Sequence, residues 1–286
     1  YNATASAVIM VGATPVFVDV DERTFNIDPA DLAAKVAAVR RDGTLVPRAI
    51  IPVDLFGLPA DYSAMQEIAS EHDMIVVADA AQSFGGKQGD AWVGNIAPMT
   101  ATSFFPAKPL GCYGDGGAIF TRDAARADIW RSIRWHGTDE SRKESVRLGT
   151  NGRLDSIQAA VVLTKLSIFE NELARRHEIA ALYDSRLQGH VQTPARPDGL
   201  SSEWSLYSIV LDERDRIQAA LSDAEIPSAI YYKIPLHRMR AFSAFAPKDG
   251  LPVCERLSER ILSLLMHPYL TDNQVHRVCD TVLGAL

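Results

Sequence analysis

Cysteine is scarce in this 286-residue chain: Cys112, Cys254 and Cys279 are widely spaced and odd in number. That argues against a disulfide framework and fits a reducing cytoplasm. No apolar stretch approaches the roughly 18 to 20 residues of a membrane span. No Lys/Arg-rich run interrupts a chain whose formal net charge is -7, so a nucleic-acid partner is not expected. No two histidines stand at i, i+4 and no CxxC occurs, so no metal site is expected. GxSxG, GxGxxG and P-loop fingerprints are absent too. There is no initiator Met and no signal peptide ahead of Tyr1-Asn2-Ala3-Thr4, which places the expected natural start upstream.

What is present has an ordinary globular composition, 47% hydrophobic and 23% charged. In the first half, strand-like and helix-like segments alternate. Thr14–Val20 is short and β-branched, and predicts a buried strand. Asp28-Pro29 predicts a helix start, with Leu32, Val36 and Val39 on one face. Arg48–Val53 reads as a second strand, and Asp61 caps a helix holding Met65 and Ile68. Met74–Asp79, nearly all apolar, predicts a strand covered on both faces; Thr100–Phe104 and Ala118–Thr121 add two more. This alternation implies an α/β fold with a largely parallel sheet.

From Asn151 to about Gln188 the spacing predicts a long helical run. A smaller α+β unit follows: a strand over Trp204–Leu211, a helix over Arg214–Asp223, a strand over Ser228–Tyr231 and two C-terminal helices. The division is placed near residue 190, giving units 1–190 and 191–286.

Two residues carry the clearest chemical pattern. Asp79 ends an apolar strand, where sites gather in open α/β sheets, and a carboxylate there can pair with a protonated pyridine nitrogen. Position alone allows an N-cap role equally well. Lys108 lies between Pro106 and Pro109 in an apolar segment, followed by Gly111, Gly114, Gly116 and Gly117. Apolar surroundings favour a neutral, nucleophilic amine, as Schiff-base chemistry requires. A snorkelling lysine beside a glycine-rich hairpin is the competing reading. Ser103 could offer its hydroxyl to a phosphate. Asn151 and Arg153 stand at a helix start, where they could reach an anion or serve as cap and surface cation. His237 follows Tyr231-Tyr232-Lys233-Ile234-Pro235-Leu236, a context that fits packing as well as a site.

Seven segments decide between these readings: YNATASAVIMVGATPVFVDVD, IIPVDLFGLPAD, VADAAQSFGG, TSFFPAKPLGCYGDGGAIFT, LGTNGRLDSIQAAVVLTKL, IPLH and LLMHPYLT. In order and spacing they resemble the DegT/StrS-type sugar aminotransferases, a branch of the fold-type I enzymes that use pyridoxal 5'-phosphate (PLP). The resemblance covers essentially the whole chain. It implies a large PLP-binding domain and a smaller C-terminal α+β domain.

The resemblance also implies roles. Lys108 corresponds to the lysine that links to PLP and shuttles a proton. Asp79 corresponds to the aspartate that pairs with the pyridinium nitrogen. Gln82 lies near the cofactor's 3-hydroxyl, and Ser103 binds its phosphate. Tyr1 takes the place of an aromatic residue that stacks on the ring. Asn151 reaches the phosphate of a neighbouring subunit's cofactor, so a homodimer with shared sites is implied. Arg153, Tyr232 and His237 are substrate-side candidates for an anionic sugar nucleotide. The implied reaction takes an amino group from glutamate, leaves 2-oxoglutarate, and delivers the amine to a UDP- or dTDP-linked keto sugar. KPLGCYGDGGA is most similar to members acting at the sugar's C3 carbonyl, on a UDP-linked N-acetylhexosaminuronate used for surface polysaccharide.

Two departures accompany it. Relatives carry some eighty or more residues ahead of the position of Tyr1, including a Ser/Asn-Gly-Thr turn that holds the cofactor phosphate; these 286 residues do not include it. Relatives also often have His-Tyr-Pro where this chain has Tyr231-Tyr232-Lys233. Two other readings stay open here: a non-catalytic PLP-binding regulator, and an inactive fragment. Sugar dehydratases of the same family have His in place of the lysine, unlike this chain.

Overall fold

The structure, a computed structural model, describes residues 1–286. Helix α1 (Asn2–Met10) is followed by an extended segment, then by α2 (Pro29–Asp42). The Asp28 carboxylate accepts from the Ala30 and Asp31 amides, Pro29 opens the helix, and Gly43 closes it in the left-handed conformation. Strand β1 (Ala49–Ile50) leads to α3 (Tyr62–Glu71), capped by Asp61. Then come β2 (Ile75–Asp79), the short β3 (Lys87–Gln88) and β4 (Ala91–Trp92), β5 (Met99–Ser103) and β6 (Gly117–Phe120).

The main sheet has the order β1-β2-β5-β6. Its first two pairings are parallel and the last is antiparallel. Leu32 and Val36 of α2 and Met65 and Ala69 of α3 bury against Ile50, Val76 and Ala78 of the sheet.

The expected strand over Thr14–Val20 is extended but joins no ladder; only Val20 bridges to Ile27. Pro15 has no amide to donate, and the segment's apolar residues are half-exposed or exposed where they line a cavity beside α1 and α2. The expected strand over Arg48–Val53 is likewise shortened. Pro52 interrupts it, although its carbonyl still accepts from the Asp79 amide (2.9 Å).

After α4 (Ala124–Arg134), the predicted long helical run is two helices, α5 (Ser156–Leu166) and α6 (Phe169–Leu187). The Thr164 and Ser167 hydroxyls donate to carbonyls of the preceding turn, at Ala160 and Thr164, where the run breaks. The remaining elements are β7 (Leu200–Ser201), β8 (Tyr207–Val210), α7 (Arg214–Asp223), α8 (Pro252–Arg260), β9 (Ile261–Leu264) and α9 (Asp272–Gly284). Strand β9 pairs antiparallel with β8, and all four of its residues are buried. The reading of two uninterrupted C-terminal helices missed it, because a four-residue apolar run has no period of its own. The strand expected over Ser228–Tyr231 is a single bridge, Ala229 to Ser263. A second core forms here from Tyr183, Tyr207, Ile217, Leu262, Val275 and their neighbours. No helix is long and apolar enough to cross a membrane.

Asp54 pins the loops that frame the end of β2. It is fully buried and accepts from the Ser83 hydroxyl (2.6 Å), the Tyr62 hydroxyl (2.7 Å) and the Ala60 amide (2.9 Å). Burial pushes its carboxyl up to about 7, against the pull of those donors and with a push from Asp79. A raised carboxyl favours the folded state while protonated. Its contribution is full below about pH 4 and is lost as pH rises through about 7. We therefore predict that thermal melts lose about 3 kcal/mol of this contribution between pH 5 and 8, roughly 6 °C. In Asp54→Asn that pH-dependent difference disappears; equal pH dependence in both proteins would contradict it.

Candidate active site

Asp79 and Ser103 end the adjacent parallel strands β2 and β5; Asp79 pairs with Ala101, so the sheet places Ser103 two residues further along the same edge. Asp79 is held from two directions: the Thr4 hydroxyl donates to Oδ2 (2.6 Å) and the Ala81 amide to Oδ1 (3.2 Å). Ser103 Oγ accepts from the Phe105 amide (3.2 Å), which turns the chain into the loop carrying Lys108. Burial pushes the Lys108 amine below the usual lysine range, while the charges of Asp79 and Glu203 pull it back up. An amine so placed is more readily neutral than a surface lysine, yet stays close to a carboxylate that can steady it when protonated.

An aromatic wall stands over this pair. The Tyr1 and Tyr232 rings lie 6.5 Å apart, centroid to centroid. The Tyr232 hydroxyl accepts from Gln82 Nε2 (3.4 Å), and Gln82 Oε1 accepts from the Phe56 amide (2.7 Å). Residues 1, 79, 82 and 232 are thus joined through Thr4, Gln82 and the two rings. The sequence reading missed Thr4. Its signal is helical spacing: Thr4 lies one turn beyond Tyr1, on the same face.

A cavity of about 760 Å³, walled mainly by apolar side chains, opens beside the cluster and shares Tyr1, Thr4 and Tyr232 with it; His237 also lines it. His237 is buried, and its Nε2 lies 2.7 Å from Glu255 Oε1. Its ring sits near Phe17 (6.5 Å). Its polar contact is therefore with Glu255, though one edge lines the cavity.

Asn151 and Arg153 lie apart from this group. Arg153 donates to Asn151 Oδ1 (2.9 Å) and stacks over Trp135 (4.4 Å), with Arg142 over the same ring (4.1 Å). Neither hydrogen-bonds to the Asp79 cluster of its own chain.

A carboxylate, a proton-releasing amine, a strand-end hydroxyl and an aromatic wall suit a planar heteroaromatic aldehyde with a basic ring nitrogen. Comparison with known proteins gives that arrangement a family. The family model described as the DegT/DnrJ/EryC1/StrS aminotransferase family matches residues 1–283. The chain belongs to this family. It is therefore an aminotransferase with the fold of these enzymes, as the resemblance implied, and the readings of a non-catalytic regulator or an inactive fragment give way.

Family relatives include the UDP-2-acetamido-2-deoxy-3-oxo-D-glucuronate aminotransferase of Pseudomonas aeruginosa. It is 44% identical over 280 residues, covering 98% of this chain and 75% of that protein. A solved DegT DnrJ EryC1 StrS aminotransferase from Brucella abortus superposes with a TM-score of 0.97 at 48% identity, over 99% of this chain and 76% of that one. Streptomyces venezuelae DesV, solved in complex with a ketimine intermediate, superposes with a TM-score of 0.93 at 34% identity, over 99% of this chain and 75% of that one.

Proposed function

We propose that this aminotransferase uses PLP to move an amino group from glutamate to a nucleotide-linked keto sugar. The observation that carries the reading is the placement of Lys108: a half-buried amine with lowered proton affinity, within the field of Asp79, which Thr4 of the Tyr1 helix holds in place. The residues fit the cofactor. Asp79 would hold a proton on the pyridine nitrogen, Ser103 and Asn151 would take the phosphate, Gln82 the 3-hydroxyl, and Tyr1 a ring face. When bound, PLP supplies an aldehyde that accepts the amino group and a ring that accepts the electron pair released from carbon.

The chain's own part is to hold and move protons. With the cofactor held, Lys108 Nζ would serve as the general base and acid, taking up a proton from the substrate carbon and giving one back. Thr4 and the Ala81 amide hold the Asp79 carboxylate in place, where it would keep a proton on the ring nitrogen of a bound cofactor. Tyr232 and Gln82 close the site from the second core and limit solvent entry.

For the acceptor we infer a UDP-linked 3-keto N-acetylhexosaminuronate, with a dTDP-linked keto sugar as the second choice. The name of the Pseudomonas relative supports this. So does Arg153, whose planar guanidinium suits a sugar carboxylate by paired hydrogen bonds. Tyr232 and His237 would contribute from the cavity side. Three free thiols and a nucleotide-sugar substrate favour action in the cytoplasm, in surface-polysaccharide synthesis such as that of an O-antigen. We further propose a division near residue 190, with the second half of α6 packing into the smaller unit's core.

The separation of Asn151 and Arg153 from Lys108 supports a homodimer in which each subunit completes its neighbour's site. Beside Asn151, α5 presents Ile157 and Leu163 to solvent, at 76% and 68% exposure. Tyr113 adjoins them, its amide donating to Gln158 Oε1 (2.8 Å). A second copy would cover this apolar face. Leu163→Glu is expected to weaken the dimer at least about tenfold, since it would bury an unpaired carboxylate in the interface. Sedimentation velocity checks this, with amino transfer per chain falling in parallel; an unchanged dimer would contradict the placement. The acceptor is tested by supplying glutamate with either sugar nucleotide. One 2-oxoglutarate should form per aminosugar detected by mass spectrometry, and faster turnover of the dTDP sugar would reverse the assignment.

A further inference from the structure

Arg153 lies in an exposed segment ahead of α5, where a long side chain ordinarily samples many rotamers. Here it is held on two sides. Its Nε donates to Asn151 Oδ1 (2.9 Å), and its guanidinium carbon stands 4.4 Å from the centroid of the Trp135 ring. One short ribbon builds both supports. Trp135 and Asn151 face each other in an antiparallel bridge. The Thr150 amide donates to the Ile133 carbonyl (2.8 Å), the His136 amide to the Thr150 carbonyl (3.0 Å) and the Gly152 amide to the Arg134 carbonyl (3.0 Å). The end of α4 is thereby tied to the segment before α5, and the indole ring and the amide oxygen reach Arg153 together.

The way Arg153 is held decides what it can still bind. Its Nε is taken by Asn151, and neither Nη nitrogen makes a hydrogen bond within the chain. A guanidinium presents its donors in a fixed fork. With Nε occupied, the free pair is the Nη1–Nη2 edge, which matches the two oxygens of a carboxylate. Arg142 lies over the same ring, 4.1 Å from its centroid. On α4, Arg126 and Arg131 pair with Asp123 and Asp128 (3.7 and 2.7 Å). Arg142 and Arg153 have no such partner. Asp139, in the same loop as Arg142, accepts instead from the Ser141 hydroxyl (2.7 Å) and the Lys143 amide (3.1 Å). Two cations gathered at one ring without an acid repel each other, and an anion arriving there offsets that repulsion.

We propose that Trp135 is a positioning residue for carboxylate recognition: its ring, with Asn151, holds the Arg153 guanidinium so that the Nη1–Nη2 edge stays open to the acid group of the substrate sugar. The proposal rests on the reading of Arg153 as the ligand of the sugar carboxylate, and it adds the residue that makes this arginine selective. An indole offers a cation the most strongly negative face of the aromatic side chains. Without that face Arg153 keeps its charge and loses its fixed direction. It then attracts anions in general but no longer favours a carboxylate at one place on the sugar.

The test uses two ligands that differ at the acid group, UDP-glucuronate and UDP-glucose, titrated into the protein by calorimetry with no turnover required. The wild type should bind UDP-glucuronate about tenfold more tightly, the scale of a charge-assisted contact. Arg153→Gln should abolish that preference. Trp135→Leu keeps an apolar side chain and removes the ring face. It should reduce the preference to about twofold and leave the affinity for UDP-glucose within about twofold of wild type. Trp135→Phe restores a weaker face and should recover most of the preference. Where Trp135→Leu does not fold, judged by circular dichroism, fluorinated tryptophan incorporated throughout the chain keeps the ring's shape and weakens its negative face. The preference should then fall in the otherwise wild-type protein, while Arg153→Gln, already without it, should not change. A preference lost in Arg153→Gln but kept in folded Trp135→Leu, or an equal loss of both ligands in Trp135→Leu, overturns the proposal and leaves Trp135 a packing residue beside a carboxylate-binding arginine. A wild type without the preference, or a preference that survives Arg153→Gln, overturns the reading of Arg153 and the proposal with it.

Discussion

Lys108→Ala lowers amino transfer by at least about a thousandfold, within the range that proton-transferring side chains contribute and with loss of the covalent attachment added. The loss is chemical rather than structural. Lys108 donates no side-chain hydrogen bond to the fold, and its loop is anchored by others: the Lys108 amide to the Phe105 carbonyl (2.8 Å) and the Cys112 amide to the Phe104 carbonyl (2.7 Å). Circular dichroism and the melting temperature should therefore stay close to wild type. Added methylamine should restore part of the rate, because a small diffusible amine can move the proton that Lys108 moves. A variant retaining more than about a tenth of wild-type activity would remove Lys108 from the chemistry.

Asp79→Asn is expected to cost about a hundred- to a thousandfold in turnover, the scale on which one preorganised electrostatic partner acts. Asn keeps one oxygen, which can accept from the Ala81 amide, and its Nδ2 can donate to the Thr4 hydroxyl, so the local geometry survives with that one bond reversed. What it loses is the charge that would keep a ring nitrogen protonated. The same substitution acts on Lys108 in the opposite sense. Asp79 raises the amine's proton affinity, so removing its charge leaves Lys108 more often neutral and more nucleophilic. Turnover should fall while labelling of Lys108 by acetic anhydride at neutral pH, followed by peptide mass spectrometry, rises. Both falling together would place Asp79 in the fold rather than in the chemistry.

The pattern around Asp79 and Lys108 was legible in the sequence because local chemistry marked both. One closes a strand of unbroken apolar residues; the other is a lysine set between prolines in an apolar segment. The parallel sheet was legible for the same reason, since Met74–Asp79 is apolar up to its last residue and strand-like segments alternate with helical ones. Thr14–Val20 misled because a β-branched run dictates extended backbone and not a ladder partner: the segment is extended, yet only Val20 bridges, and its apolar residues line a cavity instead. Strand β9 was hidden because Ile261–Leu264 is buried on both faces and follows a helix without a turn signal. Glu203 carried no signal at all: it stands just ahead of the expected strand over Trp204–Leu211, where Ser201-Ser202-Glu203 reads as an exposed polar turn. Only the folded chain, wrapping Gly57 and Gly85 around it, turns that residue into a buried acid. Thr4 was marked only by its one-turn spacing from Tyr1, and its partner Asp79 emerged when α1 docked against the end of β2.

The visible absorbance spectrum tests the central claim most directly. PLP is added to the wild-type protein and to Lys108→Ala, and glutamate is then added to each. The account predicts a yellow band in the wild type that bleaches with glutamate and yields 2-oxoglutarate, and no such band in the variant. An identical band in both proteins, or a wild-type band that glutamate leaves unchanged, would contradict it.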